Sequence, residues 1–147
     1  MKVTLEENMN IKEIEVLIRY NKKTHEINDL IDRIKNLDKK IVGYGEKKED
    51  IHVVDIGDVF YVESIDDSTF IYTETLVLKT KQRLYELEKI FGDSYFFRCN
   101  KSTILNICKI RELKPHINRT IIATMDNGEK VYISRVYVKK LKEILRG

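Results

Sequence analysis

Apolar and polar residues alternate along this chain with two different periods. In residues 2–7, Val3 and Leu5 alternate with polar neighbours, and Ile14, Val16 and Ile18 do the same, so each run predicts a half-buried strand around the polar turn Asn8-Met9-Asn10. From Thr24, a candidate N-cap, the period changes. Ile27, Leu30, Ile31, Ile34 and Leu37 recur at helical spacing and predict an amphipathic helix ending near Lys39 and Lys40, whose charges suit a helix C-terminus. Gly43-Tyr44-Gly45-Glu46-Lys47-Lys48-Glu49-Asp50, a glycine pair followed by charges, reads as a linker. The boundary placed there divides the chain into a strand-strand-helix extension, residues 1–46, and a domain, residues 47–147. Self-association or docking on another protein is the task expected of the extension, because its strands would offer pairing edges.

Beyond the boundary the pattern is one of short strands. Ile51 to Asp55, Val59 to Glu63, Thr69 to Thr73 and Leu76 to Lys79 are rich in β-branched and aromatic residues and are separated by Gly57-Asp58, Asp66-Asp67-Ser68 and Glu74-Thr75. Thr80 is placed to cap a helix carrying Leu84, Leu87 and either Ile90 or Phe91 on one face, stopped at Gly92-Asp93-Ser94. Phe96 and Phe97 are anchors that must be at least partly buried, and Asn100 or Lys101 can begin a short helical turn that packs Ile104 and Leu105 inward. Ile121 to Met125 and Lys130 to Ile133 flank Asn127-Gly128, a hairpin signal that calls for a type I′ turn. Ser134 then caps a last helix with Val138, Leu141 and Leu145 along one side.

Composition excludes more than it assigns. With 147 residues, 42% apolar and 35% charged, the chain reads as a soluble globular domain with a small extension. It has no run of about 18 apolar residues and no secretory signal order at its start, and its two cysteines, Cys99 and Cys108, form neither a disulfide framework nor a zinc spacing. A cytoplasmic location is expected. His25, His52 and His116 stand in unrelated contexts, and no nucleophile elbow, glycine-rich dinucleotide turn or paired-histidine zinc motif occurs, so no enzyme, metal, cofactor or small-molecule substrate is expected. Turn chemistry accounts for the adjacent Asp66 and Asp67 without catalysis.

Charge changes the picture. Residues 98–147 hold 12 Lys and Arg against 4 Asp and Glu, whereas residues 47–97 hold 6 against 11. A basic block of that size is the footprint of a phosphate-backbone contact, since each neutralised phosphate releases counterions. Within it, Arg98-Cys99-Asn100-Lys101-Ser102 concentrates donors: Lys suits guanine O6 and N7, Asn suits adenine N6 and N7, and Arg or Ser suits phosphate oxygens. Ser134-Arg135 stands at the start of the last helix, where free N–H groups favour an anion. For each of these residues alone, capping, ion pairing or solvation is an equal explanation; together they favour nucleic acid.

Asp58-Val59-Phe60-Tyr61-Val62-Glu63-Ser64, Leu84-x-x-Leu87, Phe97-Arg98-Cys99-Asn100-Lys101-Ser102-Thr103-Ile104-Leu105-Asn106, Ile110, Asn127-Gly128 and Ile133-Ser134-Arg135-x-Tyr137, in this order, resemble the LytTR DNA-binding domain of bacterial transcription regulators. The resemblance covers about residues 47 to 147. It implies a mainly β, β-rich α+β fold of small stacked antiparallel sheets with short helices, which binds duplex DNA through three loops entering successive major grooves. The loops map to Asp67-Ser68-Thr69, Asn100-Lys101-Ser102, and Ser134 through Tyr137 to Lys139. Lys101, Asn100, Arg135 and Thr69 are then the candidates for base reading, and Arg98, Ser102, Ser134, Tyr137, Lys139 and Ser68 the candidates for phosphate contact. Two positions depart from the pattern: Thr69 stands where a longer reader such as histidine can stand, and Val136 where an arginine can.

The expected function is sequence-specific binding of double-stranded promoter DNA by a cytoplasmic bacterial regulator, a homodimer on repeated half-sites, resembling the small stand-alone members without a receiver domain. The alternative is a protein-interaction module partnering a membrane signalling protein, with the fold kept and DNA reading lost.

Overall fold

The computed structural model describes residues 1–47, 49–92 and 95–146. Its elements are α1 (His25–Lys35), β1 (Lys40–Tyr44), β2 (Ile51–Asp55), β3 (Tyr61–Ile65), β4 (Ser68–Tyr72), β5 (Val77–Thr80), α2 (Leu84–Phe91), β6 (Phe96–Asn100), β7 (Thr103–Asn106), β8 (Ile110–Pro115), β9 (Ile121–Met125), β10 (Lys130–Ile133) and α3 (Arg135–Arg146). The strands form a seven-stranded sheet in the order β2-β1-β5-β4-β3-β7-β6 and a three-stranded sheet in the order β10-β9-β8. Every pairing among the described residues is antiparallel.

Phe96 and Phe97 show how these layers arise. Successive residues of a strand point to opposite faces, so the two rings enter different cores. Phe96 packs with Ile41, Val54, Ile71, Leu78, Leu87 and Phe91 on the side covered by α2, stacking on Phe91 at 4.0 Å between centroids. Phe97 packs with Tyr61, Met125, Val131, Ile133 and Leu141, between the large sheet and the layer made by the small sheet and α3. Ile104 and Leu105 divide in the same way. Asn106, fully buried in β7, donates to the Val59 carbonyl at 2.8 Å and accepts from Cys108 N–H at 2.9 Å, so its amide is satisfied inside the fold.

The N-terminal expectations are only partly met. Thr24 caps α1 as predicted, its Oγ1 accepting from Ile27 N–H, but the helix ends at Asn36 and Lys40 opens β1 instead. The two strands expected in residues 2–18 do not form, and every residue from 1 to 24 is exposed except the half-buried Ile18. Their alternation has no partner strand among the described residues, and a two-stranded hairpin alone is marginal in water. The expected linker carries β1 and its turn. Gly43 lies in the strand because a Cβ there would sit 2.7 Å from Leu78 Cβ, and Gly45 N–H donates to the Asp50 carbonyl at 2.9 Å; Lys48 lies outside the described residues.

Three turns also differ from expectation. Thr80 accepts from Gln82 N–H at 3.2 Å and leaves the start of α2 to Arg83, whose N–H donates to Glu86 Oε1 at 3.3 Å. Gly92, with φ of 61°, ends α2 as predicted, while Asp93 and Ser94 lie outside the described residues. At Asn127-Gly128 only the glycine has positive φ, 88°, giving a three-residue turn; it is Asp66-Asp67, with φ of 48° and 65°, that has the type I′ signature. Along α3 the second core takes Val138, Leu141 and Ile144, and Leu145 faces solvent.

Candidate nucleic-acid interface

The Arg98 to Ser102 stretch forms the tip of the β6–β7 hairpin and not the expected helical turn. Arg98 pairs with Ile104 and Asn100 with Thr103, so the extra residue, Cys99, makes a bulge that bends the strand just before the turn. Asn100 organises that turn: its Oδ1 accepts from Ser102 N–H at 2.9 Å and from Ser102 Oγ at 3.1 Å. Arg98 wraps around it, donating from Nε to the Asn100 carbonyl at 3.0 Å, from its guanidinium to the Lys101 carbonyl, and pairing with Glu88 of α2. The Lys101 side chain is thereby left exposed at the tip, its ammonium making no hydrogen bond or ion pair among the described residues.

Two further bonds fix the hairpin to the last helix. Asn100 Nδ2 donates to the Tyr132 carbonyl at 2.8 Å, and Ser134 N–H donates to the Cys99 carbonyl at 2.9 Å. The start of α3, with Arg135 and Val136 exposed, is held beside the Lys101 tip as a result. On the hairpin's other side, Ser64 N–H donates to the Ser102 carbonyl at 2.8 Å, which brings the β3–β4 turn of Asp66 and Asp67 to the same end of the molecule. Three corners therefore share one end: one acidic, two basic.

The fold gives the named residues unequal parts. Lys101, Arg135 and Lys139 are exposed; Ser68, Ser102, Ser134 and Tyr137 are half-buried, Tyr137 packing against the second core. Thr69 corrects a sequence expectation. It is 3% exposed and points to the same face as Ile71, because the period of two turns it inward, so it has no surface to offer a base. Arg98 and Asn100 are occupied within the hairpin and brace it. Beside α3, Asn118, Arg119, Thr120, Tyr132, Ser134, Arg135 and Val136 line an open cleft of about 760 Å³.

The two layers are clasped by tyrosines at the other end of the β3–β4 hairpin, away from the Asp66-Asp67 turn. The Tyr61 and Tyr72 rings stack at 4.2 Å; Tyr61 donates to Glu129 Oε2 at 2.7 Å and Tyr72 to Glu63 Oε2 at 3.2 Å. Burial first, then the Glu63 carboxylate, pushes the Tyr72 phenol up from 10.0 to about 12, and burial with the Glu129 bond raises Tyr61 further still.

The sequence profile of the LytTr DNA-binding domain matches residues 49–146. The chain belongs to the LytTR family. An uncharacterized HTH-type transcriptional regulator of Staphylococcus aureus strain NCTC 8325 / PS 47 is 33% identical over 147 residues, covering 99% of this chain and 98% of that protein. The sensory transduction protein LytT of Bacillus anthracis is 37% identical over 99 residues, 67% of this chain but 40% of that protein. A solved LytTr DNA-binding domain from Bacillus cereus superposes with a TM-score of 0.67 at 28% identity, covering 74% of this chain and 97% of that domain. As in that domain, the architecture is antiparallel strands with short helices, and among the described residues of this LytTR chain no α-helix directly follows another.

Sequence reasoning found the basic corners of the LytTR domain but missed what holds them. Glu88 and Tyr132 carried no signal, because one acts through its carboxylate on a distant arginine and the other through its main chain. Asn118 and Arg119, both at positive φ (56° and 62°), went unread as well. No group of His, Cys, Asp and Glu among the described residues could hold a metal ion.

Proposed function

We propose that this chain is a transcription regulator that binds duplex DNA sequence-specifically, with the Lys101 tip and the start of α3 in successive major grooves and two copies on repeated half-sites in the cytoplasm. One observation carries the reading. The Asn100–Tyr132 and Ser134–Cys99 bonds hold Lys101 and Arg135, both exposed and neither ion-paired among the described residues, at one end of the molecule, as base contacts require of side chains set on a rigid scaffold. Lys139, exposed one turn along α3, contacts phosphate in this reading.

Titration of duplex binding against salt tests it. With several phosphates neutralised, log K falls linearly with log salt at about −0.9 per phosphate, and a specific site stays tighter than unrelated duplex at every salt concentration. Absence of salt-sensitive duplex binding overturns the proposal.

A further inference from the structure

The large sheet is covered unevenly. Its α2 side is packed along Ile41, Val54, Ile71 and Leu78, but on the other side the small sheet and α3 reach only the β3, β7 and β6 end. The remaining face, on β2, β1 and the start of β5, carries an exposed apolar patch flanked by the Lys40–Asp55 ion pair and Lys79: Ile51 is 62% exposed, Val53 64% and Val77 58%, with Val42 directly opposite Val53 in the register. β2 is also the sheet's last strand, so one row of its backbone groups is unpaired. Elsewhere in the same chain is a segment with the reverse problem. Lys12-Glu13-Ile14-Glu15-Val16-Leu17-Ile18-Arg19 has the alternation of a half-buried strand, yet Ile14 is 95% and Val16 58% exposed.

We propose that this face receives residues 12–19 of a second copy, in a reciprocal exchange of N-terminal arms. Ile14, Val16 and Ile18 lie over Val42, Ile51, Val53 and Val77, and a cation at one end of the arm, Lys12 or Arg19, meets the groove of about 430 Å³ that runs past Val53 and Leu76, whose charged lining of Asp55, Asp58, Glu74 and Lys109 is acidic on balance. The area suffices. At roughly 100 Å² per covered aliphatic side chain, seven side chains in each of two symmetric contacts reach the ~1,200 Å² of a stable interface. Within one chain this arm does not cover the face, Ile14 and Val16 staying 95% and 58% exposed, so its occupant is the arm of another copy. The contact needs no DNA and stands or falls apart from DNA reading.

Light scattering on the full chain, without DNA, should give twice the 17.4 kDa chain mass. Val53→Glu on the face and Val16→Glu in the arm should each halve it. Both side chains are more than half exposed, so circular dichroism should remain that of the parent. Two singly substituted proteins, Val16→Cys and Val53→Cys, should crosslink on mixing and oxidation, which identifies the two sides of one contact. A monomeric parent, a dimer that survives both glutamate variants, or a doubly substituted chain that crosslinks only within itself overturns the proposal.

Discussion

The Asn100 side chain donates to the Tyr132 carbonyl at 2.8 Å while accepting from Ser102 N–H at 2.9 Å, so one amide sets both the shape of the hairpin tip and its distance from the last helix. Asn100→Asp keeps the acceptor and loses the donor. It should cost about 1 kcal/mol in urea unfolding and weaken duplex binding on all sequences, because the tip is no longer held against β10. Unchanged stability with altered base preference would instead make Asn100 a reader.

Lys101 and Lys139 are both exposed cations, but the hairpin points one and a helix flank carries the other. Lys101→Ala should cost roughly 1–3 kcal/mol on the preferred site and relax sequence choice at one position. Lys139→Ala should weaken binding uniformly and reduce the salt slope by about 1. Competition titrations with a panel of single-base variants separate the two patterns.

The acidic corner sits beside the basic ones, with Asp66 and Asp67 both in left-handed backbone conformations. The double substitution Asp66→Asn with Asp67→Gly supplies the Asn-Gly pair that a type I′ turn favours and removes two negative charges. Thermal unfolding should show a gain of about 0.5 kcal/mol. Duplex binding should tighten at low salt, with the gain fading as the Debye length shrinks. Weaker binding would mean that the carboxylates themselves accept from bases.

The parts of this fold that depend on local periodicity were legible, and those that depend on a distant partner were not. Thr24 declared α1 because a cap acts on the residues next to it, and the Phe96-Phe97 pair declared buried anchors. The strand pattern around Ile14 was equally clear, yet a strand needs a neighbour to pair with, and residues 1–24 have none among the described residues. β1 was hidden for the opposite reason. Its glycine signals a linker in isolation and becomes a packing residue only when Leu78 arrives from β5. At the candidate interface, Arg98 and Lys101 look alike as sequence; Glu88 takes the first and leaves the second free.

Tyr72 ties stability to alkaline pH. Its phenol is neutral in the folded clasp and is pushed up from 10.0 to about 12 by burial and by the Glu63 carboxylate, with Tyr61 beside it raised further. Because the folded state holds the proton more tightly than the unfolded chain, the stabilisation is fully present below pH 10 and is lost as pH rises towards 12. Urea midpoints should therefore decline across that window, with the phenolate absorbance that Tyr61→Phe and Tyr72→Phe remove growing only as the chain unfolds. Tyr72→Phe removes the proton and should flatten part of the decline, while losing the bond to Glu63 at neutral pH. A parent whose tyrosines all ionise near pH 10 without loss of folded structure would show that the Tyr61–Tyr72 stack is open to water and does not clasp the two layers.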